Sequence, residues 1–161
     1  MEVINNMEDI EYLLVNRLKE MDCVITTVES CTGGLIASRI VNVSGASGIS
    51  KEGFITYCDE AKVSMVGVPA KVIDEYKAVS GETAEAMAKG GMSTAHADGC
   101  ISVTGVAGPD MEDGKPVGLV YVGCSFKDKT VSFQFNFKGD RQSIRNQACQ
   151  KALECMYDLI E

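Results

Sequence analysis

The chain has 161 residues, of which 45% are hydrophobic and 24% charged, and a formal net charge of −8. That length suffices for one ordinary core and is short for two, so a single domain over residues 1–161 is expected. The acidic balance argues against a nucleic-acid surface, which needs clustered Lys and Arg, and no apolar run approaches the roughly 20 residues of a membrane span.

The N-terminus, "MEVINNMEDIEYLL", is acidic where a signal peptide is basic, so a cytoplasmic protein is expected. Residues 7–20 carry Ile10, Leu13, Leu14 and Leu18 at helical spacing. The apolar run "CVITTV" (23–28) reads as a buried strand, "TGGLIASRIVN" (32–42) as a helix, and "GFITYC" (53–58) as a short strand. Two helices follow, over 59–67 and over 69–77 with Pro69 at its start. A third, over 81–97, is expected to be interrupted at Gly90 and Gly91. Strands are predicted over 98–105, 117–126 and 130–137, the last two as a hairpin turning at "KDK". A long amphipathic helix with Asp140 as N-cap closes the chain. Helices before, between and after strands imply a three-layer α/β/α sandwich with a mixed sheet.

Functional side chains in such a fold gather where strands give way to helices. Three loops qualify: "ESCTGG" (29–34), "VSGASGISKEG" (43–53) and "VTGVAGPD" (103–110). Their glycines admit close backbone approach, and the helix N-terminus after "ESCTGG" favours negative charge. None matches a phosphate-binding P-loop or a dinucleotide fingerprint.

The single histidine, His96, falls at the end of a predicted helix, where a capping role is the ordinary one, so a Ser-His-Asp arrangement is not expected. A hydroxyl nucleophile then needs another base, and a lysine of depressed pKa can serve. Lys62, one turn into a helix after a polar strand end, is the candidate, with Tyr57 near enough to relay a proton. The alternative is a solvated surface lysine. Cys31 could act as a helix-terminal thiolate, but no base for it is evident and packing beneath the turn is favoured. Seven scattered cysteines with no Cys-x-x-Cys pair suggest neither a disulfide framework nor a zinc cage.

The motifs "ESCTGG", "GASG" ahead of "GFITYCDEAK", "AVSGETAEAMAKG", "SVTGVAGPD", "KPVG" and "GDRQSIRNQA" follow one another in an order and at distances that resemble the CinA C-terminal domain family. The resemblance runs from about residue 7 to the end. That family includes stand-alone deamidases of nicotinamide mononucleotide. The resemblance therefore implies hydrolysis of that carboxamide to nicotinate mononucleotide and ammonia, with no metal or cofactor, and a homodimer or larger assembly.

Carried over by position, the resemblance places the serine nucleophile on Ser47, with Lys62 as its base and Tyr57 close by. It sets Ser30, Thr104 and Gly105 around the carboxamide and its oxyanion, and Arg141 or Arg145 at the substrate phosphate. Glu29, Thr32 and Gly33 join the substrate-binding set, Glu29 orienting loop backbone or a ligand hydroxyl. Relative to the family pattern, the loop 109–116 adds Glu112 and Asp113. A non-catalytic module that binds a pyridine nucleotide is the alternative function.

Overall fold

The apolar runs read as strands pair into one sheet in a computed structural model that describes residues 9–161. The strands are β1 (Ile25–Glu29), β2 (Phe54–Ile55), β3 (Gly99–Gly105), β4 (Leu119–Phe126) and β5 (Lys129–Asn136), in the spatial order β2-β1-β3-β4-β5. β1 runs parallel to both β2 and β3, whereas β3-β4 and β4-β5 are antiparallel. The predicted mixed sheet is present. β1 is buried along its whole length and β3 nearly so, as interior strands covered on both faces must be.

Six helices cover the sheet: α1 (Ile10–Met21), α2 (Leu35–Val41), α3 (Asp59–Val66), α4 (Ala70–Tyr76), α5 (Gly81–Thr94) and α6 (Arg141–Ile160). On one face Leu14 and Leu18 of α1, Ile36 of α2 and Ile144 of α6 pack with Ile101 and Val122. On the other, Val66, Ile73 and Met87 from α3, α4 and α5 meet Val28 and Cys100. Three layers result, as the sequence implied. Among the described residues no helix is long and apolar enough to cross a membrane.

The first two residues of the predicted helix 7–20 lie outside the described residues. Asp140 caps α6 as expected, its carboxylate accepting the Ser143 N–H at 2.8 Å. Two expectations change. The strand predicted over 53–58 pairs only at Phe54 and Ile55, and Thr56 ends it by donating its N–H to the Glu29 carbonyl at 2.9 Å. Helix α5 passes unbroken through Gly90 and Gly91, because there the missing Cβ serves packing: one on Gly90 would lie 1.9 Å from the Val66 carbonyl oxygen.

Candidate active site

Three segments leave the sheet at the C-terminal ends of its parallel strands, and they meet around a cavity of about 410 Å³. Ser30 and Cys31 come from the end of β1, Tyr57 from the β2–α3 connection, Lys62 from α3, Gly105 and Gly108 from the end of β3, and Arg141 from the start of α6.

The turn after β1 is fixed first. Ser30 donates its N–H to the Val103 carbonyl at 3.0 Å, and its own carbonyl accepts the Gly33 N–H at 3.1 Å. Gly33 and Gly34 then take positive φ values of 57° and 104°, a conformation only glycine adopts without strain. The carboxylate of Glu29, 1% exposed, accepts the N–H groups of Gly34, Ile36 and Ala37 at 3.2, 2.9 and 3.1 Å. The start of α2 therefore receives its acidic partner from within the chain, and Glu29 orients loop backbone rather than a ligand hydroxyl. Thr32 is fully buried, and neither it nor Gly33 lines the cavity. Glu29 and Thr32 shape the turn from beneath, Gly33 is exposed, and none of the three lines the cavity.

Lys62 enters from α3 with 1% of its surface exposed. Its Nζ lies 3.3 Å from Ser30 Oγ and donates to the Thr56 carbonyl at 3.0 Å. Burial pushes the amine below the ordinary lysine pKa, opposed in part by Asp59 and Glu112. This is a desolvated lysine beside a hydroxyl in the lining of a cavity, not a solvated surface lysine.

Ser47 is not part of this constellation. It is exposed on a single 3-10 turn, Ala46–Gly48, and two residues later the Ile49 carbonyl accepts the Ile25 N–H at 2.7 Å. That bond anchors the loop to the start of β1, whereas Ser30 follows its end, about 16 Å farther along an extended chain. The resemblance placed the nucleophile on Ser47, but loop 43–53 runs along the sheet edge before β2 begins. Ser30 takes the place beside Lys62 that Ser47 was expected to hold.

The arginines divide. Arg141, at the cavity rim, donates to the Gly108 carbonyl and, through Nη2, to the Tyr57 hydroxyl at 3.0 Å. Tyr57, 64% exposed, therefore turns its hydroxyl to Arg141 at the rim. Arg145 turns inward, donating from Nε to the Cys31 carbonyl and from Nη2 to the Thr32 carbonyl, each at 3.0 Å. Thr104 and Gly105 both line the cavity, though the Thr104 hydroxyl donates to the Ala78 carbonyl at 2.8 Å.

Cys31 also lines the cavity, but burial pushes its thiol up to about 12, which leaves almost no thiolate at neutral pH. The packing role favoured from sequence agrees with this. His96 sits past the end of α5 with φ 50°, exposed and away from the cavity lining. The sequence reading overlooked Asp59, Glu60 and Asp110, which with Glu112 give the lining four carboxylates against two cations. Their signal was present, since "CDEAK" sets two acids directly ahead of Lys62. Among the described residues no group of three or more His, Cys, Asp or Glu converges as metal ligands would.

The CinA C-terminal domain model matches residues 7–160. A CinA-like protein of Kosmotoga olearia is 46% identical over 148 residues, covering 91% of this chain and 36% of that protein. The chain thus spans about a third of the length of this curated relative. Among solved structures, the competence/damage inducible protein CihA of Agrobacterium tumefaciens is 32% identical, covers 100% of both chains and superposes with a TM-score of 0.90. A CinA superfamily protein of Klebsiella pneumoniae is 29% identical, covering 97% of this chain and 98% of its own, with a TM-score of 0.91. With nearly the full length matched in sequence motif, family model and fold, the chain belongs to the CinA C-terminal domain family.

Proposed function

We propose that this chain hydrolyses the carboxamide of nicotinamide mononucleotide, giving nicotinate mononucleotide and ammonia, with Ser30 as nucleophile and Lys62 as its base. The observation that carries the reading is the buried Lys62 amine 3.3 Å from Ser30 Oγ beside a substrate-sized cavity. Family membership supports an amide-hydrolysing role and the family's mononucleotide substrate.

In the neutral form that burial favours, Lys62 accepts the Ser30 proton as the oxygen attacks the amide carbon. The tetrahedral intermediate carries its charge on the former carbonyl oxygen. Backbone N–H groups of Cys31 and, from the neighbouring strand, Gly105 are the donors offered to it; losing one such donor typically lowers the rate by about 10²–10³. Collapse breaks the C–N bond, and the Lys62 ammonium returns its proton to the departing amine, which leaves as ammonia. Water then adds to the acyl-serine ester with Lys62 again the base, releasing the carboxylate and restoring Ser30.

Arg141 is the cation at the cavity rim that suits the substrate phosphate. Two of its five N–H donors are engaged, by Gly108 and Tyr57, and a phosphate can compete for the Tyr57 contact. The substrate's pyridinium ring is cationic, and the carboxylates of Asp59, Glu60, Asp110 and Glu112 complement it.

Ammonia release from nicotinamide mononucleotide, measured with the wild type, Ser30→Ala and Ser47→Ala, tests the proposal. Turnover by the wild type and Ser47→Ala, with none in Ser30→Ala, is expected. Binding of the mononucleotide without ammonia release by the wild type would instead identify a non-catalytic pyridine-nucleotide module. Activity lost in Ser47→Ala but kept in Ser30→Ala would move the nucleophile away from the Lys62 pair.

A further inference from the structure

Arg145 was a candidate for the substrate phosphate, yet its guanidinium points at main chain. We propose that Arg145 is a positioning residue, holding the turn that presents Ser30 to Lys62 by donating to the carbonyls of Cys31 and Thr32. The inference rests on Ser30 being the nucleophile.

Five residues, 30–34, separate the end of β1 from the start of α2, and their placement decides where Ser30 Oγ sits relative to Lys62 Nζ. Two charged side chains grip this turn from different elements. Glu29 holds its far end through the N–H groups of Gly34, Ile36 and Ala37. Arg145, half-buried on α6, holds its middle through two carbonyl oxygens at 3.0 Å each.

The local alternatives to Arg145 are few. The Thr32 hydroxyl is buried with no hydrogen-bond partner among the described residues, so the residue's own side chain does not tether the turn. Gly33 has no side chain to pack, and a Cβ there would lie 3.6 Å from Arg145 Nη2, so guanidinium and turn are in close apposition. The tie to Val103 holds the Ser30 N–H and the Thr32 carbonyl also accepts the Leu35 N–H at 3.2 Å, so the Cys31 carbonyl is the one whose hold falls to Arg145.

The fork geometry matters as much as the charge. Nε and Nη2 of one guanidinium address two successive carbonyls at once, whereas a lysine ammonium is a point donor with no such planar fork. The first carbonyl, that of Cys31, belongs to the same peptide group as the Thr32 N–H. A cation on that oxygen polarises the peptide and stiffens the turn that follows Ser30.

A positioning role predicts a loss in kcat with KM little changed, because the contacts bear on the nucleophile rather than on the phosphate. The test compares wild type, Arg145→Ala and Arg145→Lys. Its readouts are kcat and KM on nicotinamide mononucleotide, the rate at which phenylmethylsulfonyl fluoride labels Ser30 by mass spectrometry, and the thermal midpoint. Arg145→Ala should lose about tenfold or more in both kcat and labelling rate, with partial restoration by added guanidinium ion, and Arg145→Lys should fall between it and the wild type.

An increase in KM alone, with labelling at the wild-type rate, would return Arg145 to the phosphate site and overturn the proposal. If Arg145→Ala fails to fold, wild-type labelling and kcat in Arg145→Lys overturn it. Absence of Ser30 labelling in the wild type removes the nucleophile assignment, and this inference with it. Wild-type labelling that is unchanged in both variants removes the inference alone.

Discussion

Lys62 is an ionisable group buried where stability alone would not put one. Its burial disfavours the ammonium, so the folded protein binds fewer protons at this site than the unfolded chain does, between the depressed folded pKa and the ordinary value near 10.4. Stability contributed by this group therefore rises with pH through that window and is lower beneath it. Lys62→Met should abolish turnover, flatten this part of the pH dependence of the urea midpoint, and raise the thermal midpoint at neutral pH by about 2 °C or more. An unchanged or lower midpoint would mean that the bonds to Ser30 and Thr56 offset the burial. Asp59 and Glu112 both act to raise the Lys62 pKa. Asp59→Asn should accordingly move the acid limb of the kcat/KM profile to lower pH, since less hydroxide is needed to reach the neutral amine. A shift to higher pH would show that Lys62 is not the group being read.

The elements make this pair possible, and their boundaries decide how much of it sequence can reveal. The buried runs of β1 and β3 and the capped helix α6 were legible because hydrophobic period and capping chemistry are local. The Ser30–Lys62 pairing was not, because it depends on β2 lying parallel beside β1, a choice made by packing between positions 32 apart in the chain. The "GASG" motif misled for the complementary reason: its glycines serve a 3-10 turn at the other end of β1. Gly90 and Gly91 were likewise read as breaks, although propensity there yields to close packing of α5 against α3 and the sheet. A Cβ on Gly90 would come within 1.9 Å of Val66 O and 3.0 Å of its carbonyl carbon, both backbone atoms of the α3 C-terminus. Gly90→Ala should therefore displace the helix that carries Lys62, destabilise the fold by about 1–3 kcal/mol, and lower kcat beyond the unfolded fraction. Urea denaturation with activity measured on the same preparation checks this. Full specific activity per folded molecule would mean that α3 yields without moving Lys62.

At the scale of the molecule, a net charge of −8 faces the proposed substrate, nicotinamide mononucleotide, whose phosphate makes it anionic overall. Long-range repulsion lowers the encounter rate of such a ligand, while under the proposed assignment Arg141 attracts its phosphate only over the last few ångströms. Added salt separates the two, because the Debye length falls from about 30 Å at 0.01 M to about 8 Å at 0.15 M, so distant charges are screened well before a direct contact is. The kcat/KM for nicotinamide mononucleotide should therefore rise between these ionic strengths, with kcat nearly constant. Arg141→Ala should lower kcat/KM by about tenfold, as the loss of one charge-assisted phosphate contact implies, and should keep the rise with salt because its origin lies in the whole charge distribution. A chloride titration with both proteins, repeated with an uncharged salting agent to separate screening from crowding, measures this. A kcat/KM that falls with salt in the wild type but not in Arg141→Ala would show that the local cation, rather than the acidic surface, governs how the mononucleotide arrives.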